Sequence, residues 1–221
     1  VLKEVSLVAL SKTVSAITVV AAAVALGGGW YWYHTSSEQA KQEQALRQTL
    51  RLADLSEKQA PDFHLTDQHG KQISLSDFKG KAVVLQFMDP VCTDVCPIVS
   101  QEVIQANHSL GAKSDDVVYI AVNVNQYHEK PADTLAFSKE HGLDKLPNWH
   151  FVTGDTASLQ AVWKAYSVYV KPNPDGDVVH SSFIYFLDKD GKERYVANAS
   201  DDKSAIPGMS KGIAFFTNKL I

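Results

Sequence analysis

Cys92 and Cys96 are the only cysteines among 221 residues, and they stand four positions apart directly before Pro97. The thiolate, not the thiol, is both the nucleophile and the metal ligand, so two such side chains in one short loop point to redox chemistry or to a soft metal. A Cys-x-x-Cys pair would favour thiol–disulfide exchange; here Thr93, Asp94 and Val95 intervene, and both chemistries stay open. An iron–sulfur cluster or an all-cysteine zinc site needs more thiolates than this chain supplies. A third ligand to a metal must therefore be a histidine.

Eight histidines are available. His34 lies in a polar segment near the N-terminus, and His64 and His69 fall around a turn. His108 and His141 sit near helix ends, where a cation is favourable. His128 and His150 read as structural or solvated. His180 differs: it follows a loop rich in Pro, Asn, Asp and Gly and stands just before a buried strand. Asp94, between the cysteines, reads first as a helix cap and second as a charge that tunes a bound metal.

These side chains need elements to hold them. Val83 to Met88 is apolar nearly throughout, the pattern of a strand buried on both faces. Pro97 is tolerated in the first turn of a helix and pushes Cys96 away from helical dihedrals, so a helix begins at about Cys96. Val99, Val103, Ala106 and Leu110 continue it to Gly111. Both thiols thus occupy a strand-to-helix corner, where the positive end of the helix dipole favours thiolate.

Upstream, 61–67 and 71–75 alternate around Gln68-His69-Gly70 as a β-hairpin. Downstream come a strand at Val117 to Val124, a helix at Pro131 to His141 and a short strand at Trp149 to Val152. Asp155 or Thr156 caps a helix with Leu159, Val162, Trp163 and Tyr166 on one face, a spacing that reads as core packing. After the loop Lys171 to Asp177, Ser182 to Leu187 and Glu193 to Ala197 form a second hairpin, and a helix through Ile213, Phe216 and Leu220 closes the chain. The order hairpin, βα, βα, βα, ββα predicts an α/β class: a mixed sheet flanked by helices, with the cysteine corner at its core, which describes a thioredoxin-like fold.

The N-terminus carries a different signal. Val14 to Tyr33 is apolar apart from Ser15 and Thr18, spans 20 residues and ends on Trp30, Tyr31, Trp32 and Tyr33, rings suited to a membrane interface. A cleaved signal peptide competes with a retained anchor, but the run is long for one and bulky aromatics stand where small residues would be cleaved. Lys3 and Lys12 precede the span and favour the cytoplasmic side. The expected organisation is a short cytoplasmic N-terminus at 1–13, a transmembrane anchor at 14–33, a polar tether at 34–57, helical or flexible, and a folded domain at 58–221 outside the cytoplasm. Setting aside Lys3, Lys12 and Glu4, 19 basic and 24 acidic residues leave 34–221 with a net charge of −5. That balance provides no footprint for nucleic acid.

Pro61-Asp62-Phe63, Gly80-Lys81-Ala82-Val83-Val84-Leu85, Cys92-Thr93-Asp94-Val95-Cys96-Pro97, Tyr166-Ser167-Val168-Tyr169 and His180-Ser181 together resemble the Sco/SenC proteins. The resemblance covers roughly 58–221. It implies a membrane-anchored, thioredoxin-like copper chaperone serving assembly of the dinuclear copper centre of cytochrome c oxidase. Cys92, Cys96 and His180 would be the ligands of one copper ion, Cu(I) or Cu(II). The copper-bearing oxidase subunit would be the acceptor and an upstream donor the source. The membrane would be a bacterial cell membrane, or the mitochondrial inner membrane with the domain in the intermembrane space.

The pattern departs from the family at two positions. Thr93 stands where Pro often follows the first cysteine, and Val179 where Asp often precedes the histidine. A carboxylate near a ligating histidine fixes its tautomer, and Asp177 is the nearest upstream candidate for that role, beside its ordinary reading as a turn residue. The alternative function is a thiol–disulfide oxidoreductase that reduces the acceptor's cysteines through Cys92 and Cys96, with His180 tuning their pKa.

Overall fold

The computed structural model describes residues 30–174 and 178–221. The chain divides into two compact units, 1–45 and 46–221. Helical positions run from 30 to 50 (α1). In the first unit, Trp30, Tyr31, Trp32 and Tyr33 are all exposed. The remainder of the expected span, 14–29, lies outside the described residues. Among the described residues no helix is long and apolar enough to cross a membrane.

The second unit is built on a six-stranded mixed sheet, ordered β1 (Ala53–Asp54), β10 (Glu193–Asn198), β9 (Phe183–Leu187), β4 (Ala82–Met88), β5 (Val117–Asn123) and β6 (Trp149–Val152). β4, β5 and β6 are parallel, joined by helices, while β9, β10 and β1 add on antiparallel. The apolar run that predicted a strand buried on both faces is β4 itself. Ala82, Val84 and Met88 belong to one hydrophobic cluster with α2 (Val95–Leu110) and α5 (Ile206–Asn218). Val83, Leu85 and Phe87 enter the other, with Leu159, Val162, Trp163 and Tyr166. α3 (Pro131–Glu140) and α4 (Thr156–Ala165) complete the helices, and Asp155 caps α4 by accepting the Ser158 N–H at 2.7 Å. The first hairpin, β2 (His64–Thr66) and β3 (Gln72–Ser74), forms its own two-stranded sheet, bridged to Thr153 beyond β6 through Thr66.

Two features differ from the pattern read along the chain. Leu46 and Leu50, in the segment read as a polar tether, are buried in the core. Their apolar side chains are removed from water by α5, where Gly212 permits the approach: a Cβ there would lie 2.9 Å from Leu50. The loop before His180 is in part an antiparallel arm, β7 (Val170–Lys171) and β8 (Val179–His180). With two residues per strand it has no alternation to detect.

The α2 helix also buries an acid. Glu102 is fully inaccessible, and neither carboxylate oxygen has a hydrogen-bond partner among the described residues. Burial pushes its pKa up to about 8, so its carboxyl is largely protonated at neutral pH.

Candidate metal centre

The cysteine corner forms where β4 ends and α2 begins. Asp94 caps α2, accepting the Val95 N–H, and its carboxylate also accepts the Cys92 thiol at 3.0 Å. The capping role read from sequence is thus observed, and the same carboxylate also holds the Cys92 thiol. Cys96 follows in the first turn, and its backbone N–H donates to the Cys92 sulfur at 3.4 Å. Both cysteines are free and buried.

The two thiols are not equivalent. A hydrogen bond from the Cys96 thiol, helped by the Cys96 N–H and opposed by burial, holds the Cys92 pKa below its ordinary value. Cys96 is pushed well above its own, because it donates to Cys92 and is buried. Cys92 is therefore the first thiolate to form, and the helix N-terminus supplies the stabilising N–H.

His180 reaches the corner from β8. Val170 pairs with it across the arm, and Ser181 N–H donates to Tyr169 O at 2.9 Å. His180 lines one cleft together with Cys96, Gln86 and Met88. Its Nδ1 lies 3.0 Å from the Ser181 carbonyl. A carbonyl only accepts, so Nδ1 carries the hydrogen and Nε2 keeps its lone pair. Burial lowers the His180 pKa, against the opposing pull of Ser181 O, Asp89 and Asp94, and keeps the ring neutral. That is the protonation state a metal requires. Cys92 also lines a second concavity, with Pro97, Glu140 and His141.

Among the described residues no three His, Cys, Asp or Glu side chains are already gathered tightly enough to hold a metal. What the corner supplies is a polarised thiol pair, and one neutral imidazole shares the cleft of Cys96. Two sulfurs and a nitrogen are a soft donor set, suited to copper.

Five of the seven other histidines have side-chain neighbours of their own. His64 bonds Ser74 Oγ at 2.6 Å, His150 lies 3.5 Å from Asp67, His128 4.0 Å from Asp133, and His141 stacks on Phe137. His34 packs on Trp30, and His108 stands in the last turn of α2. Trp163 and Tyr166 are core residues, bonded to Asn123 O and Pro61 O. Val179 is exposed, Thr93 is exposed, and Asp177 lies outside the described residues.

Sequence reasoning passed over Asp89, the last residue before the cysteine loop. It is 1% exposed and gathers donors from three segments. The signal was present: a carboxylate interrupts an apolar run between Met88 and Pro90, where no solvated face exists to receive it.

A dithiol corner between a central parallel strand and a helix N-terminus, in a mixed sheet flanked by helices, defines a thioredoxin-like protein. The SCO1/SenC family model matches residues 53–212, and the chain belongs to that family. It is 34% identical over 137 residues to "Protein SCO2, mitochondrial" of Saccharomyces cerevisiae, a match covering 59% of this chain and 44% of that protein. The chain thus matches under half the length of that relative. The structure of Bradyrhizobium japonicum ScoI with copper bound is 27% identical, with a TM-score of 0.61 over 74% of this chain and 100% of that one. BsSco, a member of the Sco family of cytochrome c oxidase assembly proteins in which a disulfide switch is identified, is 25% identical, with a TM-score of 0.58 over 74% of this chain and 97% of that one.

Proposed function

We propose that this protein is a membrane-anchored copper chaperone that binds one copper ion through Cys92, Cys96 and His180. It passes the ion to the copper-bearing subunit of cytochrome c oxidase during assembly of the dinuclear site. The observation that carries this is the polarised Cys92–Cys96 pair at the start of α2, with the neutral His180 imidazole sharing the cleft of Cys96. The copper-bound ScoI relative supports the choice of ion. Cys92 gives up its proton most readily, Cys96 follows as the cation arrives, and the β7–β8 arm brings Nε2 onto the ion. Delivery is ligand exchange, with acceptor thiolates and imidazoles replacing these three in turn.

Substitution of histidines tests the ligand set. His180→Ala is expected to weaken Cu(I) binding by roughly a hundredfold, as about 3 kcal/mol for one lost ligand implies. His141→Ala, beside the Cys92 concavity, and His108→Ala are expected to leave it unchanged, as read by competition with a chromophoric Cu(I) chelator. Equal affinities across the three variants reject His180.

The anchor rests on the apolar run Val14 to Tyr33 and its preceding lysines. Reporter fusions after Ala60 are expected to be active only outside the cytoplasm, and the protein is expected to resist alkaline carbonate extraction. An active cytoplasmic reporter or a readily extracted protein rejects this topology.

A second reading, reduction of the acceptor's disulfide, is favoured by the asymmetry of the two thiols. Cys92 thiolate attacks one acceptor sulfur, releasing the other as thiolate. Cys96 then displaces the first, which leaves a Cys92–Cys96 disulfide and a reduced acceptor. A His180→Ala protein that still cycles between dithiol and disulfide separates the roles. Full restoration of copper-centre assembly in cells lacking the native protein supports the reductase; failure supports copper delivery.

A further inference from the structure

Asp89 directly follows β4, three residues before Cys92, and is almost wholly buried. Its Oδ1 accepts the Val91 N–H at 3.0 Å and the Asn125 Nδ2–H at 3.0 Å, and its Oδ2 accepts the Val178 N–H at 3.2 Å. These donors come from the cysteine loop, the loop after β5 and the root of the arm that carries His180. Asn125 is held in turn, its Oδ1 accepting Tyr127 N–H at 2.9 Å. Val178 is itself buried, two residues before His180. Val179, where a carboxylate would precede the histidine in the family pattern, points to solvent with 62% of its surface exposed.

We propose that Asp89 is a positioning residue of the copper site: by pinning Val178 to the end of β4 it sets how far His180 stands from the two sulfurs. The proposal rests on the copper-binding reading above. The arm consists of two residue pairs, and its Lys171 and Val179 side chains are exposed. Val170 and Val178 seat the ribbon on the second hydrophobic cluster, but apolar contact is non-directional and does not by itself fix how far the arm stands from the end of β4. The bond at Val178 removes that freedom beforehand, so less ordering entropy is lost when the imidazole engages an ion. Asp89 also bonds the loop that carries Cys92, through Val91, so one carboxylate references thiols and histidine to the same strand end. In this way the residue that follows β4 supplies from the sheet side the carboxylate that the arm itself lacks at position 179.

Asp89→Asn breaks the arm contact and also removes the carboxylate charge felt by His180 and Cys96, so the nitrogen coupling, which reports where the imidazole stands, is read beside the affinity. With its oxygen toward Val91 and Asn125, the amide keeps two acceptances and turns an N–H toward the Val178 N–H, where no bond can form. The full chain carrying Asp89→Asn is expected to fold and to bind copper about 10- to 100-fold more weakly. Its Cu(II) form is expected to lose the single, well-resolved nitrogen coupling in its electron paramagnetic resonance spectrum. Asn125→Ala is the control: it removes a different donor to Asp89 and leaves Val178 bound, so its melting temperature falls while copper affinity and nitrogen coupling stay as in wild type.

Wild-type affinity and spectrum in Asp89→Asn overturn the positioning role alone, and so does an equal loss of copper affinity in Asn125→Ala. Wild-type protein that takes up no copper overturns the copper reading itself. Should Asp89→Asn fail to fold, hydrogen exchange at the Val178 amide of the reduced wild-type chain decides. Strong protection is the expected result, and exchange at the rate of a free amide rejects the proposal.

Discussion

Oxidation of the Cys92–Cys96 pair is expected to abolish copper uptake by the protein. The Cys96 N–H donates to the Cys92 sulfur at 3.4 Å, so a disulfide joins groups that are neighbours in the reduced chain. A sulfur engaged in a disulfide has lost the thiolate that binds a soft ion. If each ligand contributes on the order of 3 kcal/mol, as structural metal sites indicate, loss of two corresponds to roughly a ten-thousandfold fall in affinity. His180 alone does not hold the ion. The measurement is copper bound per chain after oxidation with diamide, and again after re-reduction with an excess of a phosphine. Full recovery on reduction is expected. Copper retained by a chain shown by thiol titration to be fully oxidised would remove both cysteines from the site. Cys92→Ser and Cys96→Ser are each expected to reproduce part of the loss.

Glu102→Gln is expected to stabilise the protein at pH 8 and to flatten its stability between about pH 4.5 and 8. Glu102 has an ordinary pKa of 4.5 when the chain is unfolded, and burial raises it to about 8 in the folded protein. Below pH 4.5 both states carry the proton and the group has no effect. As pH rises through 4.5 the unfolded chain releases it while the folded chain retains it, so stability is lost progressively until the folded group also ionises near pH 8. The difference amounts to on the order of 4 kcal/mol, a large part of the stability of a single domain. Gln mimics the protonated acid and does not titrate. Urea unfolding of the reduced, metal-free protein at pH 5 and pH 8 reads the effect. Parallel loss of stability in wild type and variant would show that Glu102 is not its source.

Leu46 and Leu50 illustrate why sequence separates elements better than it assigns their partners. Their spacing indicated a helix, but only the packing against Gly212, some 160 residues later, shows that this helix belongs to the core. The same distinction runs through the site. The corner was legible because everything that makes it is local: the apolar run of β4, a capping carboxylate at Asp94, a proline in the first turn and two thiols between them. Caps and periodicities are encoded within a few residues, so Cys92, Cys96 and the order of strands and helices could be read directly. His180 was singled out by its position before a buried strand and by family resemblance, and the fold places it on an arm of only two residue pairs.

The inequality of the two thiols, the tautomer of His180, the buried charge of Asp89 and the unpaired acid of Glu102 were decided by the tertiary structure. The imidazole bonds its own sequence neighbour, Ser181 O, and is kept neutral by burial, whereas Asp89 and Glu102 depend on what a polar atom meets across the chain once water is excluded: Val178 and Asn125 for Asp89, no partner among the described residues for Glu102. Burial and long-range hydrogen bonding set those energies, and neither is a property of a residue's neighbours in sequence.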